Sequence, residues 1–561
     1  MARTISVGRQ SYEKMISAGN FYVDKTLFIE DWWNNDDEVT LITRPRRFGK
    51  TLNMDTLNCF FSNAFAGRSD LFEGLEIWKN EEFRKIQGTY PVIFLSFAEV
   101  KNNTFENMKK NISSIFYELY DKFDSVLTGS QKLSDDNKLI FNRIKKQLVT
   151  GEDENSVVKS VQLLSKFLSI HYEKKVIILL DEYDTPLIEA YNGGFWDEMI
   201  SFLRMFFNST FKTNEYLHRA VMTGITRVSK ESLFSDLNNL KVCTLASEDY
   251  NRYFGFAEKE VFEAMDEFGY TNKDEVKYWY DGFIIGGMPD IYNPWSVINY
   301  LNDGKLKAYW ANTSSNGLVS KLLREADEEI KSDFEELLRG EKIVKIIDDE
   351  MVFSELGENV NAVWSLLTSA GYLKISQYDS KRYELAVVNH EVMEMFEKMV
   401  SGWFTAKTTR YSRLLRSLLD GNTDDLNEYM NLLTESMFSY FDCADSEDDF
   451  YAPEKFYHGF VLGMLVELRD RYAVQSNRES GLGRYDVMLI PKDKNKDKAF
   501  IMEFKVVNRN RGEKSLEDAL KNARKQIEDN NYEQVLNDMG ITSDNIIKYG
   551  LAFMGKKVLI G

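Results

Sequence analysis

The sequence has few cysteines and prolines and no long apolar run. Its three cysteines, Cys59, Cys243 and Cys443, lie too far apart for the spacing of a zinc site or an evident disulfide framework, which favours a reducing compartment. No stretch approaches the roughly 20 apolar residues that cross a bilayer. The first ten residues, MARTISVGRQ, lack the apolar segment of a signal peptide. We therefore expect a cytoplasmic protein that makes no membrane contact.

Acidic residues outnumber basic ones, with 89 Asp and Glu against 70 Lys and Arg, so the formal net charge is −19. An acidic chain does not coat itself in nucleic acid, so any such contact requires a local basic patch or a metal-bridged site. The residues are 43% hydrophobic and 14% aromatic, which is enough to build packed cores. A chain of 561 residues is too long for one core, and two to four domains are expected.

The first 250 residues alternate short apolar runs with longer helical patterns. The runs are VTLITR (39–44), YPVIFLSF (90–97), KVIILLDE (175–182) and RAVMTGIT (219–226). Near-continuous apolar strands are typical of parallel sheets that are covered on both faces. Their alternation with helices predicts an α/β domain over residues 1–250.

The remaining chain divides into three predicted segments. Residues 251–345 form a helical, aromatic-rich extension, whose aromatic series we interpret as core rather than as a base-stacking platform. Residues 346–440 contain a helix (363–375), a hairpin strand (382–389) and further helices, a pattern similar to a winged helix followed by a connector. Residues 441–561 follow as a separate helix, hairpin and helix. The predicted fold class is therefore α/β and multidomain.

A phosphate-binding loop is predicted where the first strand runs into RPRRFGKT (44–51) and then a helix. Gly49, Lys50 and Thr51 match the second half of the G-x-x-x-x-G-K-[ST] pattern, which combines backbone N–H groups, a lysine and a hydroxyl at a helix N-terminus. Arg44 occupies the position of the first glycine. A left-handed conformation would cost Arg44 roughly 1–2 kcal/mol, so we expect the loop to follow a different path.

Acidic residues end the third apolar run at the edge of the sheet where ligands bind. Asp181 is expected to hold Mg²⁺ together with Thr51, and Glu182 to polarise a water molecule. The end of the fourth run carries Thr223, Thr226 and then Arg227, and a polar residue there is a candidate sensor of the terminal phosphate. The alternative for the polar residues at the end of each of these two runs, taken singly, is an ordinary strand end with solvated side chains.

Several motifs together resemble the bacterial AAA-ATPase-like family that carries a C-terminal nuclease-superfamily domain. They are FYVDKT (21–26), RPRRFGKT (44–51), LLDEYDTPL (179–187), TGITRVSKESLFSDLNNL (223–240), WYDGF (279–283) and YNPWS (292–296). The resemblance implies a P-loop ATPase fold with ATP and Mg²⁺ as cofactors. The predicted nucleotide-binding residues are Arg46, Arg47, Phe48, Gly49, Lys50, Thr51, Asp181 and Arg227.

A pair of carboxylates is predicted in the C-terminal segment. The runs YDVMLI and AFIMEFK are joined by a lysine-rich loop, and a turn centred between Lys494 and Asn495 places Asp486 opposite Glu503. Directly opposed residues have Cβ atoms roughly 4.5–5.5 Å apart, so the two acids repel unless a cation lies between them. Strand alternation puts Lys505 on the same face as Glu503. A solvated charged hairpin is the alternative.

The three residues Asp486, Glu503 and Lys505, together with Glu454 on an upstream helix, resemble the active-site pattern of the PD-(D/E)XK nuclease superfamily. The resemblance implies Mg²⁺, or alternatively Mn²⁺, held by Asp486, Glu503 and Glu454. Lys505 would orient the attacking water and Gln526 would assist. The implied reaction is metal-assisted hydrolysis of phosphodiester bonds in DNA or RNA, which makes nucleic acid the expected partner of this domain.

Three functions remain open from the sequence. The first is an ATP-binding and ATP-hydrolysing protein coupled to a metal-dependent nuclease. The second is a signalling or scaffold ATPase whose C-terminal domain binds nucleic acid or protein without cleaving it. The third is a nucleotide switch without turnover at either site. Neither the choice of DNA or RNA nor the oligomeric state follows from the residues.

Overall fold

A computed structural model describes two compact units of the chain. The described residues are 2–226, 233–234, 237–311, 319–320, 322–323, 328–338, 340–347, 360–379, 382–405, 408–437, 461, 464–465, 468, 470–480, 483–507, 513–554 and 557–561. Two predicted site residues, Arg227 and Glu454, lie outside them. The first unit comprises Met1–Ser315 and Lys342–Val392, and the second comprises Asn316–Glu341 and Met393–Gly561. Each unit therefore combines parts of segments that we predicted to be separate domains.

A five-stranded parallel sheet forms the centre of the first unit. Its strands are β1 (Val39–Thr43), β2 (Val92–Ser96), β3 (Val176–Asp181), β4 (Leu217–Gly224) and β5 (Leu240–Cys243), in the order β2-β3-β4-β1-β5. Every residue of β1 and β3 is buried, as expected for strands covered on both faces. The parallel sheet and its first four strands confirm the prediction. The short β5 was not predicted, because its four residues form no continuous apolar run.

Helices connect and cover these strands. They are α1 (Tyr12–Ser17), α2 (Leu27–Asn35), α3 (Lys50–Phe61), α4 (Glu81–Ile86), α5 (Phe105–Thr128), α6 (Asp135–Thr150), α7 (Glu154–Tyr172), α8 (Thr185–Gly193) and α9 (Trp196–Phe207). The side chains of Thr104 and Ser134 cap α5 and α6 by accepting hydrogen bonds from backbone N–H groups of the first turns. Helix α3 begins at Lys50, so it presents its unpaired N-terminal N–H groups beside the carboxyl end of β1.

The aromatic extension contains both helices and a small sheet. Its elements are β6 (Phe256–Ala257), α10 (Glu258–Phe268), α11 (Lys273–Tyr280), β7 (Phe283–Ile285), β8 (Met288–Tyr292) and α12 (Pro294–Asp303). The strands pair antiparallel in the order β6-β8-β7 and were not predicted, since each is five residues or shorter.

The FYVDKT motif ties the N-terminal segment to this extension. Lys25 is 8% exposed, and its Nζ donates to both carboxylate oxygens of Glu260 at 2.7 Å and to the carbonyl oxygen of Arg252 at 2.8 Å. Asp24 accepts hydrogen bonds from the backbone N–H and the hydroxyl of Thr26. The motif therefore has a structural role in the first unit.

An acidic group around the WYDGF motif is also structural. Oxygen atoms of Glu258, Asp281 and Asp290 lie close enough together to hold a cation. Lys277 occupies that position, with its Nζ 2.9 Å from Asp290 Oδ1 and 3.3 Å from Asp281 Oδ2. The lysine neutralises part of the local negative charge, so we do not assign a metal to this group.

Later elements include α13 (Glu328–Leu338), β9 (Ile343–Lys345), α14 (Val360–Ser369), β10 (Leu373–Asp379), β11 (Arg382–Val387) and α15 (His390–Thr405). The predicted helix and hairpin are present as α14 and β10–β11, and β9 adds a third antiparallel strand. A winged-helix fold for this region stays a prediction. Gly282 is required here, because a Cβ on it would lie 2.0 Å from the carbonyl oxygen of Val388.

Glu391, at the start of α15, is a buried contact within the first unit. Its Oε2 accepts a hydrogen bond from Ser296 Oγ at 2.7 Å, and its Oε1 accepts one from the backbone N–H of Trp310 at 2.6 Å. These bonds join α15 to α12 of the extension. They are among the contacts that place residues 342–392 and the extension in one compact unit.

The second unit contains a mixed five-stranded sheet. Its elements are α16 (Thr408–Asp420), α17 (Thr423–Met437), β12 (Tyr472–Ser480), β13 (Gly483–Pro491), β14 (Ala499–Val506), α18 (Leu516–Asp529), α19 (Glu533–Asp538), β15 (Ile546–Met554) and β16 (Lys557–Ile560). The order is β12-β13-β14-β15-β16, with only β14 and β15 parallel. The predicted hairpin is β13–β14 and the predicted following helix is α18. Strands β12, β15 and β16 were not predicted.

Two asparagines of α17 bind the backbone of the last strand. Asn427 exchanges two hydrogen bonds of 2.7 Å with the N–H and C=O of Ile560, and Asn431 does the same with Val558 at 2.9 and 2.8 Å. The side-chain amides therefore replace a neighbouring strand along β16, which covers an otherwise open sheet edge.

Among the residues that the structure describes, no helix is long and apolar enough to cross a membrane.

Candidate functional site

The predicted phosphate-binding loop joins β1 to α3. Gly49 precedes the helix with a φ of 82°, a conformation that glycine adopts without steric cost, and Arg47 also has a positive φ of 65°. Lys50 is 6% exposed, and its Nζ donates to the carbonyl oxygens of Arg44 (2.9 Å) and Pro45 (2.8 Å). Burial lowers the pKa of Lys50, whereas Glu182, Asp181 and Asp184 raise it. The ammonium group is thus held within the loop.

Arg44 occupies the position of the first glycine in the P-loop pattern, but its backbone is not left-handed. Its side chain has a structural role. The left-handed loop residues are Arg47 and Gly49, so the strain considered for Arg44 does not arise. Its guanidinium is buried and donates to the carbonyl oxygens of Thr43 and Thr244, both at 2.8 Å. Burial lowers the pKa of Arg44 to about 10. The side chain therefore joins the loop to the segment that follows β5.

Asp181 and Thr51 meet at the carboxyl end of the sheet. Asp181 is 1% exposed; its Oδ2 accepts a hydrogen bond from Thr51 Oγ1 at 2.7 Å, and its Oδ1 accepts one from Thr223 Oγ1. Burial raises the pKa of Asp181, while both hydroxyl groups lower it. A hydroxyl and a carboxylate in contact are oxygen donors of the kind that Mg²⁺ prefers. The two predicted ligands are therefore suitably placed for a nucleotide-bound metal.

Glu182 adopts a left-handed backbone conformation, with a φ of 53°. Its Oε2 accepts a hydrogen bond from Thr185 Oγ1 at 3.1 Å. Such conformations cost non-glycine residues roughly 1–3 kcal/mol and concentrate at functional sites. The backbone of Glu182 supports the prediction that its carboxylate has a function.

A cavity of about 410 Å³ lies beside this loop. Its volume falls within the roughly 300–1,000 Å³ that is typical of ligand pockets. Glu182 borders the cavity together with the predicted loop residues Arg46, Arg47, Phe48, Gly49, Lys50 and Thr51. The Phe48 ring itself is buried and packs against Phe283, with ring centroids 4.7 Å apart.

The second unit brings Asp486, Glu503 and Lys505 together on β13 and β14. Val487 pairs with Met502 in the predicted register, and Asp486 and Glu503 are the next residues on the two strands. Asp486 Oδ2 accepts a hydrogen bond from the backbone N–H of Phe504 at 2.7 Å. Glu503 is 1% exposed, and its Oε1 lies 3.2 Å from Lys505 Nζ. Lys505 supplies one positive charge to two carboxylates, so the set fits an additional divalent cation.

Tyr532 binds Gln526 and lies within range of the charges of the acidic pair. Its hydroxyl accepts hydrogen bonds from Gln526 Nε2 at 3.3 Å and from Asn530 Nδ2 at 2.9 Å. Burial raises the pKa of Tyr532, and the charges of Glu503 and Asp486 raise it further. The phenol therefore lies within the electrostatic influence of both acids.

Comparisons with known proteins match the two regions of the chain that contain these residues. Residues 6–234 match the AAA-ATPase-like family model, described as "Predicted AAA-ATPase", and residues 452–561 match the PD-(D/E)XK nuclease superfamily. The chain carries an AAA-ATPase-like domain and a PD-(D/E)XK superfamily domain. A relative in Azotobacter chroococcum mcd 1, "Uncharacterized protein in vnfD 5'region", is 23% identical over 523 residues, which cover 90% of each chain. The likeness to this relative therefore extends across both domains.

The AAA-ATPase-like domain also contains a site residue that was not predicted. Asp184 is 1% exposed, and its Oδ2 accepts hydrogen bonds from the backbone N–H groups of Ile225 (2.8 Å) and Thr226 (2.9 Å). It thereby fixes the end of β4 beside Asp181. The only sequence signal was its place in LLDEYDTPL, which does not reveal a partner on another strand.

Tyr532 of the PD-(D/E)XK domain was likewise not predicted as a site residue. It follows α18 and carries no motif that distinguishes it from an ordinary core tyrosine. Its position beside Asp486 and Glu503 depends on how α18 packs on the sheet, and no local pattern encodes that packing.

Proposed function

We propose that the protein binds and hydrolyses ATP at the cavity beside Lys50 and cleaves phosphodiester bonds of DNA or RNA in its C-terminal domain. The nuclease proposal depends chiefly on the placement of Asp486, Glu503 and Lys505 on adjacent strands. The contact between Thr51 and Asp181 at the N-terminus of α3 supports the ATPase. The cytoplasm is the proposed location.

In the ATPase, each loop residue has a defined task. Lys50 exchanges its bonds to the Arg44 and Pro45 carbonyl oxygens for bonds to phosphate oxygens. Thr51 and Asp181 hold Mg²⁺, which neutralises phosphate charge when it is bound. Glu182 orients the attacking water and accepts its proton. We assign the sensing of the terminal phosphate to Arg227, the charged residue that follows the fourth apolar run.

In the nuclease, the two strand carboxylates hold a divalent ion, with Glu454 as the proposed third ligand. Mg²⁺ or Mn²⁺ held there would lower the pKa of bound water and neutralise the leaving oxyanion. Lys505 orients the attacking water through its ammonium group, which Glu503 holds at 3.2 Å. Gln526 assists through the hydroxyl of Tyr532. Nucleic acid is the proposed partner of this domain.

The proposal is tested by removing one carboxylate of the pair. Asp486→Ala or Glu503→Ala should abolish divalent-dependent cleavage, because either loss destroys the shared metal site, and the two losses should not add. Cleavage of labelled single- and double-stranded DNA and RNA is measured with Mg²⁺ or Mn²⁺, with and without ATP. Asp493→Ala, in the exposed loop of the same hairpin, is the matched control and should retain cleavage.

A reciprocal variant separates the two activities. Glu182→Gln should bind ATP and slow its hydrolysis, while Asp486→Ala leaves hydrolysis unchanged. Cleavage by both acid variants would place the metal site elsewhere. If the wild type cleaves none of the substrates, yet loses metal binding on Asp486→Ala, a signalling or scaffold ATPase with a non-cleaving C-terminal domain takes the place of this proposal.

A further inference from the structure

The loop between β1 and α3 is held at two of its carbonyl groups by the aromatic-rich extension. The side chain of Asn293 donates from Nδ2 to the carbonyl oxygen of Arg46 at 3.3 Å. The backbone N–H of Gly255 donates to the carbonyl oxygen of Phe48, also at 3.3 Å. Both donors come from outside the loop, so they fix the orientation of two of its peptide groups.

These two bonds also determine where the next N–H groups of the loop point. In a trans peptide the C=O and the following N–H point in opposite directions, and the described residues contain no cis peptide bond. The N–H groups of Arg47 and Gly49 therefore point away from the extension. Arg47 and Gly49 are left-handed, with φ angles of 65° and 82°, whereas Phe48 between them is not. Such alternation forms a concavity of N–H groups that binds anions.

The left-handed backbone of Arg47 depends on contacts outside the loop. This conformation is disfavoured for any residue that carries a side chain, and it persists only where the surroundings hold it. The Arg47 guanidinium lies 4.4 Å from the centre of the Trp295 ring, two residues after Asn293. The start of α12 thus makes two contacts here, one with the peptide group before Arg47 and one with its side chain.

Asn293 is fixed in the orientation that its bond to the loop requires. It is 1% exposed and caps α12, because its Oδ1 accepts a hydrogen bond from the backbone N–H of Trp295 at 2.9 Å. A side-chain amide has one acceptor oxygen and one donor nitrogen, so the cap leaves Nδ2 facing Arg46. Asn293 does not line the cavity itself, although Pro294 and Trp295 do.

We propose that Asn293 is a positioning residue of the nucleotide site, which directs the Arg47 N–H toward the phosphates without touching the nucleotide. The inference rests on the proposed ATP site and adds to it a residue that follows Arg46 by 247 positions. A loop whose N–H groups are already directed binds phosphate at a lower conformational cost. Loss of the Asn293 amide should therefore lower the affinity for the phosphate chain itself, whatever is attached to it.

The test is Asn293→Ser, since serine is also a good helix cap but is too short to reach Arg46 as well. Calorimetry on the full chain should show that the affinities for ATP and for inorganic tripolyphosphate fall by the same factor. We expect roughly 3- to 10-fold, the effect of one hydrogen bond. Asn293→Asp is the second variant. It keeps the shape and the cap but lacks the donor, so its loss should be at least as large.

Asn80→Ser is the matched control, because Asn80 caps α4 in the same way. Its Oδ1 accepts from the backbone N–H of Glu82 at 3.1 Å, its Nδ2 donates to Glu30 Oε1 at 3.1 Å, and it does not line the cavity. This variant should keep both affinities, and melting without ligand measures the stability that each variant loses. In Asn293→Ser the KM for ATP should rise while kcat stays within about 2-fold, since the residue acts on binding.

The outcomes separate this inference from the proposed function. A wild type that binds neither ATP nor tripolyphosphate refutes the ATP site and the positioning role together. If the wild type binds both ligands and Lys50→Ala weakens both, unchanged affinities in Asn293→Ser and Asn293→Asp overturn the positioning role alone. A loss of ATP affinity without a loss of tripolyphosphate affinity overturns it too, because the Arg47 N–H serves the phosphates. Equal losses in Asn80→Ser assign the effect to stability and likewise overturn it.

Discussion

Single residues around the C-terminal acidic pair differ in their tasks. Asp486 and Glu503 are the proposed metal ligands, whereas Tyr532 offers a phenol that already accepts hydrogen bonds from Gln526 and Asn530. A phenol retains its own proton as a donor. The charges of Glu503 and Asp486 both act on this hydroxyl. We infer that Tyr532 positions the acids and does not itself react.

Tyr532→Phe separates positioning from simple packing. Removing the hydroxyl leaves the amides of Gln526 and Asn530 without this acceptor, which costs about 1–3 kcal/mol of stability. If the phenol also orients the acids, metal affinity should fall by roughly 10- to 100-fold. Both quantities are measured without substrate, by Mn²⁺ calorimetry and by denaturant unfolding of the metal-free protein.

Tyr549→Phe is the matched control for this prediction. The Tyr549 hydroxyl donates to the carbonyl oxygen of Leu418 at 2.8 Å and also belongs to the C-terminal sheet. This variant should lose stability and retain metal affinity. Unchanged metal affinity in Tyr532→Phe would contradict the positioning role and leave Tyr532 as a core residue.

Among the elements, α15 depends on a buried carboxylate. Burial raises the pKa of Glu391 from 4.5 to about 7, although Ser296 and the backbone N–H groups of Trp310 and Ala311 lower it. The folded state therefore holds a proton that the unfolded state releases near pH 4.5. The stabilisation is complete below that pH and is lost as the pH rises toward 7.

Glu391→Gln should remove this pH dependence. Between pH 8 and pH 5 the wild type should gain up to about 3 kcal/mol of unfolding free energy relative to the variant. Denaturant unfolding at several pH values measures the difference. Glu263→Gln, on the exposed face of α10, is the control and should follow the wild type at every pH. Parallel curves for the wild type and Glu391→Gln would show that Glu391 does not titrate in this range.

Strand β16 depends on α17 in a different way. Asn427→Ala together with Asn431→Ala removes four hydrogen bonds to the strand backbone, which should cost about 2–4 kcal/mol. The uncovered edge should also promote association between chains. Denaturant unfolding and light scattering measure the two effects. Glu428→Ala, an exposed neighbour on α17, should change neither, and a stable, monodisperse double variant would contradict the role of the asparagines.

For the whole molecule, the two compact units should unfold in two calorimetric transitions, because each has its own core. ATP at about 100 times its dissociation constant should stabilise the first unit by about 2.7 kcal/mol, and Mg²⁺ alone should stabilise the second. Lys50→Ala should abolish the first shift and Glu503→Ala the second. One transition that both ligands raise equally would contradict two separate sites.

The sequence alone determined those features that local periodicity encodes. Continuous apolar runs specified β1 to β4 and their parallel sheet, because strands buried on both faces carry few polar residues. The GKT tripeptide between a strand and a helix specified where the loop ends and α3 begins. The register of β13 and β14, in which Asp486 and Glu503 come next after Val487 and Met502, followed from counting residues outward from the turn between the two strands.

Tertiary structure decided the features that join distant parts of the chain. Arg44 reaches the carbonyl oxygen of Thr244, Glu391 reaches Ser296, and Tyr532 lies near the acids of β13 and β14. The cavity beside the loop is likewise lined by residues that precede the parallel sheet in the sequence, such as Ile5, and by residues that follow it, such as Ile298. Periodicity reveals which face of an element is buried but does not reveal which other face covers it. That choice depends on side-chain packing across the whole unit, so these contacts became visible only in three dimensions.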